Sequence, residues 1–156
     1  MLDAYLGIDP GQSGAWALVT EDELLLAVGN LHIKKEWGAG LVRAVRAWSP
    51  RVHISRAIIE RGGTRPENSR SRVYKTGEGA GLCKGVCLGF GIEIREVAPD
   101  AWKPGLGLRS SPSYSDRKRI AREYAQGIWP EARFSRPDHA EAALLSLWYI
   151  RRVLQI

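Results

Sequence analysis

The sequence predicts an α/β fold on a mixed five-stranded sheet, an antiparallel meander plus parallel strands, flanked by helices. Three observations carry this. Short apolar runs crowd the N-terminal part with only tight polar breaks between them. Later apolar runs alternate with stretches of helical period. Glycine, proline and serine mark the boundaries.

Taken in order, residues 5–9 form a short apolar strand. Strands at 14–19 and 23–28 follow, and the tight Thr-Glu-Asp-Glu connection between them makes this part an antiparallel meander. Across 35–48, Trp37, Leu41, Val42, Val45 and Trp48 fall close to helical spacing, and Pro50 stops the helix. The stretch 55–60 (Ser-Arg-Ala-Ile-Ile-Glu) is a buried strand ending in an acid. Glycine, proline, asparagine and serine across 61–75 predict a loop, and 79–90 predicts a helix rich in small residues. A fifth strand covers 92–97. A helix at 115–126 has Ser115 as its N-cap candidate, and the last helix runs from Pro137, a favoured first-turn residue, to about 154. Trp102 reads as core or hinge packing. No repeat, low-complexity tract or linker divides the chain, so one domain over 1–156 is expected.

Composition narrows the function. Hydrophobic residues make up 44%, as in a globular chain. No apolar run approaches the roughly 20 residues of a bilayer span, so no membrane partner is expected. The N-terminus has no basic segment followed by an apolar signal region, which predicts a cytoplasmic location. Cys83 and Cys87, four apart on one helix, suit a reduced core pair better than a disulfide or a zinc site. The net charge of +6 is compatible with a polyanionic partner. Arg61, Arg65, Arg70, Arg72 and Lys75 concentrate it in one short stretch, opposed only by Glu67, which reads either as a track for a polyanion's phosphates or as a solvated basic loop.

The acids stand at telling places. Asp9 closes the first strand and is followed at once by Pro10, Gly11 and Gly14. Glu60 closes the fourth. If these strands are parallel neighbours, both carboxylates emerge at one sheet edge, where open α/β sheets collect ligands. Asp138 and Glu141, three apart at a helix start, share one face. Each has a plainer reading: a turn acid, a strand end, a pair placed for the helix dipole. Together, four carboxylates would repel unless cations sat among them, and oxygen donors suit Mg²⁺ or Mn²⁺. Two such ions can activate water and stabilise the leaving oxygen in phosphodiester cleavage. His139 lies about 100° around the helix from Asp138 and reads as a supporting polar residue.

With these residues in view, the stretches "YLGIDPGQSG", "AIIE" and "DHAEAALLSLWYI" resemble the RuvC family of Holliday junction resolvases, particularly its short bacteriophage forms. The resemblance implies a ribonuclease-H-like fold and a homodimer that nicks branched DNA, four-way junctions above all, using two divalent ions per site. It places the protein in the bacterial host cytoplasm if phage-encoded. It makes Asp9, Glu60, Asp138 and Glu141 the metal ligands. It makes Lys118 the basic residue near the scissile phosphate, with Arg117 beside it, and Lys103, in "APDAWKPGLGL", a second phosphate contact. Two departures stand out. Glu141 replaces the usual Asp, and no aromatic follows Glu60 until Tyr74. Gly77, Gly81, Gly85 and Gly89 recur every four residues, and that smooth face suits close contact with the sheet or with a second subunit.

Rival classes fit less well. An actin-like ATPase needs a duplicated fold and a second phosphate loop, for which the chain is too short. The glycines at 7, 11 and 14 do not form a dinucleotide fingerprint. A noncatalytic junction-binding module, or a nuclease of the same fold acting on forks, flaps or RNA–DNA hybrids, stays open.

Overall fold

The computed structural model describes residues 1–62 and 67–154. Strands β1 (Leu2–Asp9), β2 (Ala15–Thr20) and β3 (Leu25–Asn30) form the antiparallel meander. On the other side of β1, β4 (Val52–Glu60) and then β5 (Ile94–Val97) add in parallel, giving the order β3-β2-β1-β4-β5. This is the mixed five-stranded sheet expected from the sequence. The helices are α1 (Ile33–Glu36), α2 (Ala39–Trp48), α3 (Arg70–Gly89), α4 (Pro99–Gly105), α5 (Tyr114–Ile128) and α6 (Pro137–Arg152). Among the described residues, no helix is long and apolar enough to cross a membrane.

The strands carry apolar residues on both faces, so the sheet is covered on both. Tyr5, Ala15, Ala17, Val19 and Ile58 pack with α5 and α6 in one core. Ala4, Leu6, Ile8, Trp16, Leu18, Ala57 and Ile59 pack with α2 and α3 in the other. Cys83 and Cys87 are free and buried in this second core, where burial pushes their thiols up to about 12 and 11.

Four local expectations are corrected. The helix expected over 35–48 is split, because Trp37 and Gly38 take left-handed conformations (φ 54° and 80°) between α1 and α2. Trp37, expected on the apolar face, is 75% exposed. The loop expected through Lys75 ends at Ser69, whose side chain accepts a hydrogen bond from the Arg72 amide and caps α3. Arg70, Arg72 and Lys75 are therefore helical. Ser113, not Ser115, caps α5 by accepting from the Asp116 amide. The short helix α4 was not anticipated.

Two glycines are fixed by close approach. A Cβ on Gly79 would lie 2.3 Å from the Pro10 carbonyl oxygen, so α3 packs directly on the turn after β1. A Cβ on Gly7 would lie 1.8 Å from the Ala142 carbonyl oxygen, so α6 crosses β1 with no side chain between them. Ser146 Oγ donates to the Tyr5 carbonyl at 3.1 Å in the same crossing. By contrast, Cβ atoms on Gly77, Gly81, Gly85 and Gly89 would meet nothing within 4 Å, so that stripe does not face the sheet.

Gly7→Ala has to push backbone apart, since the obstructing atom is a carbonyl oxygen. The expected cost is at least about 2 kcal/mol, read from urea unfolding. A variant as stable as the parent would contradict the crossing described here.

Candidate active site

Strand parity and register bring the distant acids together. Ile8 pairs with Ile59 across the parallel β1–β4 ladder, so Asp9 and Glu60 follow side by side at the strand ends. Asp9 shares its side of β1 with Tyr5 and Gly7, and Glu60 shares its side of β4 with Ile58. Both therefore rise on the α6 face. Gly7 meets α6 at Ala142. Two strand residues advance about 6.6 Å, and four helical residues about 6 Å. Asp138, four residues before Ala142, thus stands level with Asp9, with Glu141 on the same side. One carboxylate oxygen from each of Asp9, Asp138 and Glu141 lies within 4.8 Å of the other two. Glu60 stands just outside this group, and its Oε2 accepts a 2.7 Å hydrogen bond from Trp102 Nε1.

Cations occupy the space among these acids. Lys118 Nζ donates to Asp138 Oδ1 at 2.8 Å and to Glu141 Oε2. Lys103 Nζ reaches Glu141 Oε1 at 3.2 Å. Arg136 Nη2 donates to Asp138 Oδ2 at 2.9 Å. Asp9 remains the uncompensated member. Burial first, then the charges of Glu60 and Glu141, push its carboxyl from 3.8 up to about 8. Burial and Glu141 also raise Glu60, against the opposing pull of Lys103 and the Trp102 hydrogen bond. Burial alone would lower the Lys118 ammonium, but Glu141 and Asp138 outweigh it and hold it above its usual range. Hard anionic oxygens at these mutual distances fit Mg²⁺ or Mn²⁺. A cation there would offset the repulsion that raises Asp9, and would have to displace its proton.

Asp9 and Asp138 border a cleft of about 470 Å³. Asp9, Asp138 and Lys118 line it with the 11–14 turn, and across from them stand Ser69, Ser71, Arg72, Lys75 and Thr76 of the α3 start. Of the basic residues singled out from the sequence, Arg72 and Lys75 face this space. Arg61 is exposed immediately after β4, and Arg70 is exposed at the first turn of α3 but does not line the cleft. Lys103 is paired with Glu141. Arg117 Nη1 donates to the Ser111 and Pro112 carbonyls, bracing the segment before α5. Arg65 lies outside the described residues.

Sequence reasoning missed three contributors. Trp102 is fully buried, as expected of core packing, but it is also the donor that orients Glu60. Arg136 ties Asp138 to Asn30 Oδ1 at 2.9 Å and to the Ser13 carbonyl, locking the helix start to the turn after β1. Its place just before Pro137 and Asp138 was the available signal. Tyr114, exposed at the cleft rim, lies under the cations of Lys118 and Arg117 at 5.5 and 5.9 Å. His139 faces away from the acids, with Nε2 2.7 Å from Asn30 Oδ1. Burial and the nearby Arg136 charge lower its pKa, leaving a neutral supporting ring.

The raised Asp9 carboxyl makes metal-free stability depend on pH. The folded chain keeps a proton that the unfolded chain loses from about pH 4, so stability present below that point drains away as pH rises to about 8. Thermal unfolding in chelator should therefore show Asp9→Asn gaining on the parent between pH 5 and 8, and Mn²⁺ should raise the parent's melting temperature far more than the variant's. A difference independent of pH would contradict the assigned cause.

No protein-family model matches this sequence, and no curated protein does. Among solved structures the chain is similar to T. thermophilus RuvC in complex with Holliday junction substrate, with TM-score 0.68 and 17% identity over 96% of this chain and 93% of that one. It is likewise similar to the Thermus thermophilus RuvC structure, with TM-score 0.63 and 18% identity over 95% of each chain. At that identity the likeness is one of fold: the mixed sheet and its flanking helices are arranged as in RuvC, the ribonuclease-H-like arrangement.

Proposed function

We propose that this chain is a structure-selective endonuclease that nicks four-way (Holliday) junctions and related branched DNA by divalent-metal-dependent phosphodiester hydrolysis, as a short, bacteriophage-type counterpart of the RuvC resolvases acting in the cytoplasm. The observation that carries the reading is the meeting of Asp9, Asp138 and Glu141, with Glu60 beside them, at a cleft whose lining includes Asp9, Asp138, Lys118, Arg72 and Lys75. The fold shared with a RuvC in complex with Holliday junction substrate supports it.

In this reading Asp9, Asp138 and Glu141 hold Mg²⁺ or Mn²⁺, and Glu60 completes a two-ion site. When bound, the ions supply an activated water and charge stabilisation at the leaving oxygen. The chain's own residues do the rest. Lys118 holds the two α6 carboxylates in place and presents its charge to the cleft, where it offsets charge building on the phosphoryl oxygens. Arg72 and Lys75 grip the DNA backbone from the opposite wall, with the exposed Arg61 and Arg70 extending the track. Trp102 and Arg136 keep Glu60 and Asp138 in position.

The same reading makes the chain a two-fold dimer. Tyr74, Gly77, Gly81, Gly85 and Leu88 share one face of α3, with Tyr74 and Leu88 71% and 68% exposed and the glycines open. Such a face suits the same helix of a second copy, which would present two identical sites to a four-way junction. Sedimentation as a monomer at micromolar concentration would sink the dimer.

Incubating the chain with labelled four-way, three-way, fork, flap and hybrid substrates tests the activity. Nicks should appear on the four-way junction with Mg²⁺ or Mn²⁺, vanish with chelator, and vanish for Asp9→Asn while junction binding persists. Metal-independent binding without any nick would select a binding module instead. The double variant Arg72→Ala/Lys75→Ala should lower the slope of log affinity against log salt by about 2, because two phosphate contacts are lost. An unchanged slope would remove α3 from the DNA interface.

A further inference from the structure

The four acids are not equivalent in their cations. The Asp9–Asp138–Glu141 group gathers tightly enough for one ion and excludes Glu60. Glu60 is instead capped by the Trp102 indole N–H, and the residue after Trp102 sends its ammonium to Glu141. Lys103 also acts electrostatically on Glu60, so its charge serves both acids on that side of the site. The two lysines differ in how firmly they are held. Lys118 makes two hydrogen bonds and is 18% exposed, whereas Lys103 makes one, at 3.2 Å, and is 28% exposed. Trp102, fully buried, anchors α4, so the neighbouring lysine can leave without the backbone moving.

We propose that Lys103 is an internal stand-in for a second divalent cation: its ammonium fills the Glu60–Glu141 side of the site, so the free chain takes up one ion, at Asp9, Asp138 and Glu141. The inference rests on the metal reading above and refines it. A monovalent ammonium bonded to buried Glu141, with half-buried Glu60 nearby, offsets the repulsion of the two carboxylates at a point where a divalent ion would otherwise be needed. The Trp102 N–H satisfies the Glu60 oxygen that would then turn to the ion. Full loading of the site requires withdrawal of Lys103 toward solvent, so the second ion is a conditional component.

The test is the number of Mn²⁺ ions bound per chain in the absence of DNA, from electron paramagnetic resonance of the free ion during titration, with circular dichroism confirming the fold. The parent should bind one, Lys103→Met two, and Lys103→Arg, which keeps the charge, one. Lys103→Gln serves if the Met variant does not fold. Two equally tight ions in the parent would overturn the inference while leaving the metal site intact. One ion in both neutral variants would overturn it as well, since removing the ammonium would then have opened nothing. No Mn²⁺ bound by parent or variants would sink the metal reading itself, and this inference with it.

Discussion

The structure depends on one close crossing. Where β1 meets α6, the Ala142 carbonyl oxygen occupies the place that a side chain at position 7 would take. The helix lies on the strand at backbone distance, and the pitch of each element then sets what stands above the contact. Acids well over a hundred residues apart in sequence reach the same level because the rise of two strand residues nearly equals that of four helical residues. Any residue larger than glycine at position 7 would lift the helix and part the carboxylates. The buried alanines of α6, at positions 140, 142 and 143, serve the same end by keeping that helix thin where it faces the sheet.

Close packing of acids has an electrostatic consequence that the rest of the site manages. Lys118, Lys103 and Arg136 come from three different segments, and each places its cation on an α6 carboxylate. None of them bonds Asp9. Its carboxyl therefore stays protonated over a range where an exposed aspartate is fully ionised, because burial and two neighbouring charges oppose ionisation. The protein is thus built with a deliberate shortage of positive charge at the end of β1. In the proposed reading that shortage links the fold to the chemistry, since it leaves room for a hard cation, and it makes the metal-free chain sensitive to alkali.

Much of this was legible in the sequence, for identifiable reasons. The apolar runs along 5–9 and 55–60 marked buried strands, and an acid ending each could be placed at a common edge once the strands were taken as parallel neighbours. Pro137 followed by Asp138 and Glu141 marked a helix start with two acids on one face. The start of α3 was not legible. Its first turns are basic, opposing the helix dipole, and its glycines break any apolar period, so local preference argued for a loop where the Ser69 cap and the packing of Gly79 on Pro10 impose a helix. The break between α1 and α2 was hidden in the same way, since a tryptophan at positive φ contradicts ordinary preference. The pairing of Trp102 with Glu60 could not be read at all. It depends on α4 folding back over the end of β4, a tertiary event with no local signature.

The most direct measurement of the central claim is anomalous diffraction at the manganese edge from crystals soaked in Mn²⁺. The account predicts a strong peak bounded by the carboxylates of Asp9, Asp138 and Glu141. A fully soaked crystal with no peak there, or with its only peaks on other surfaces, would contradict it.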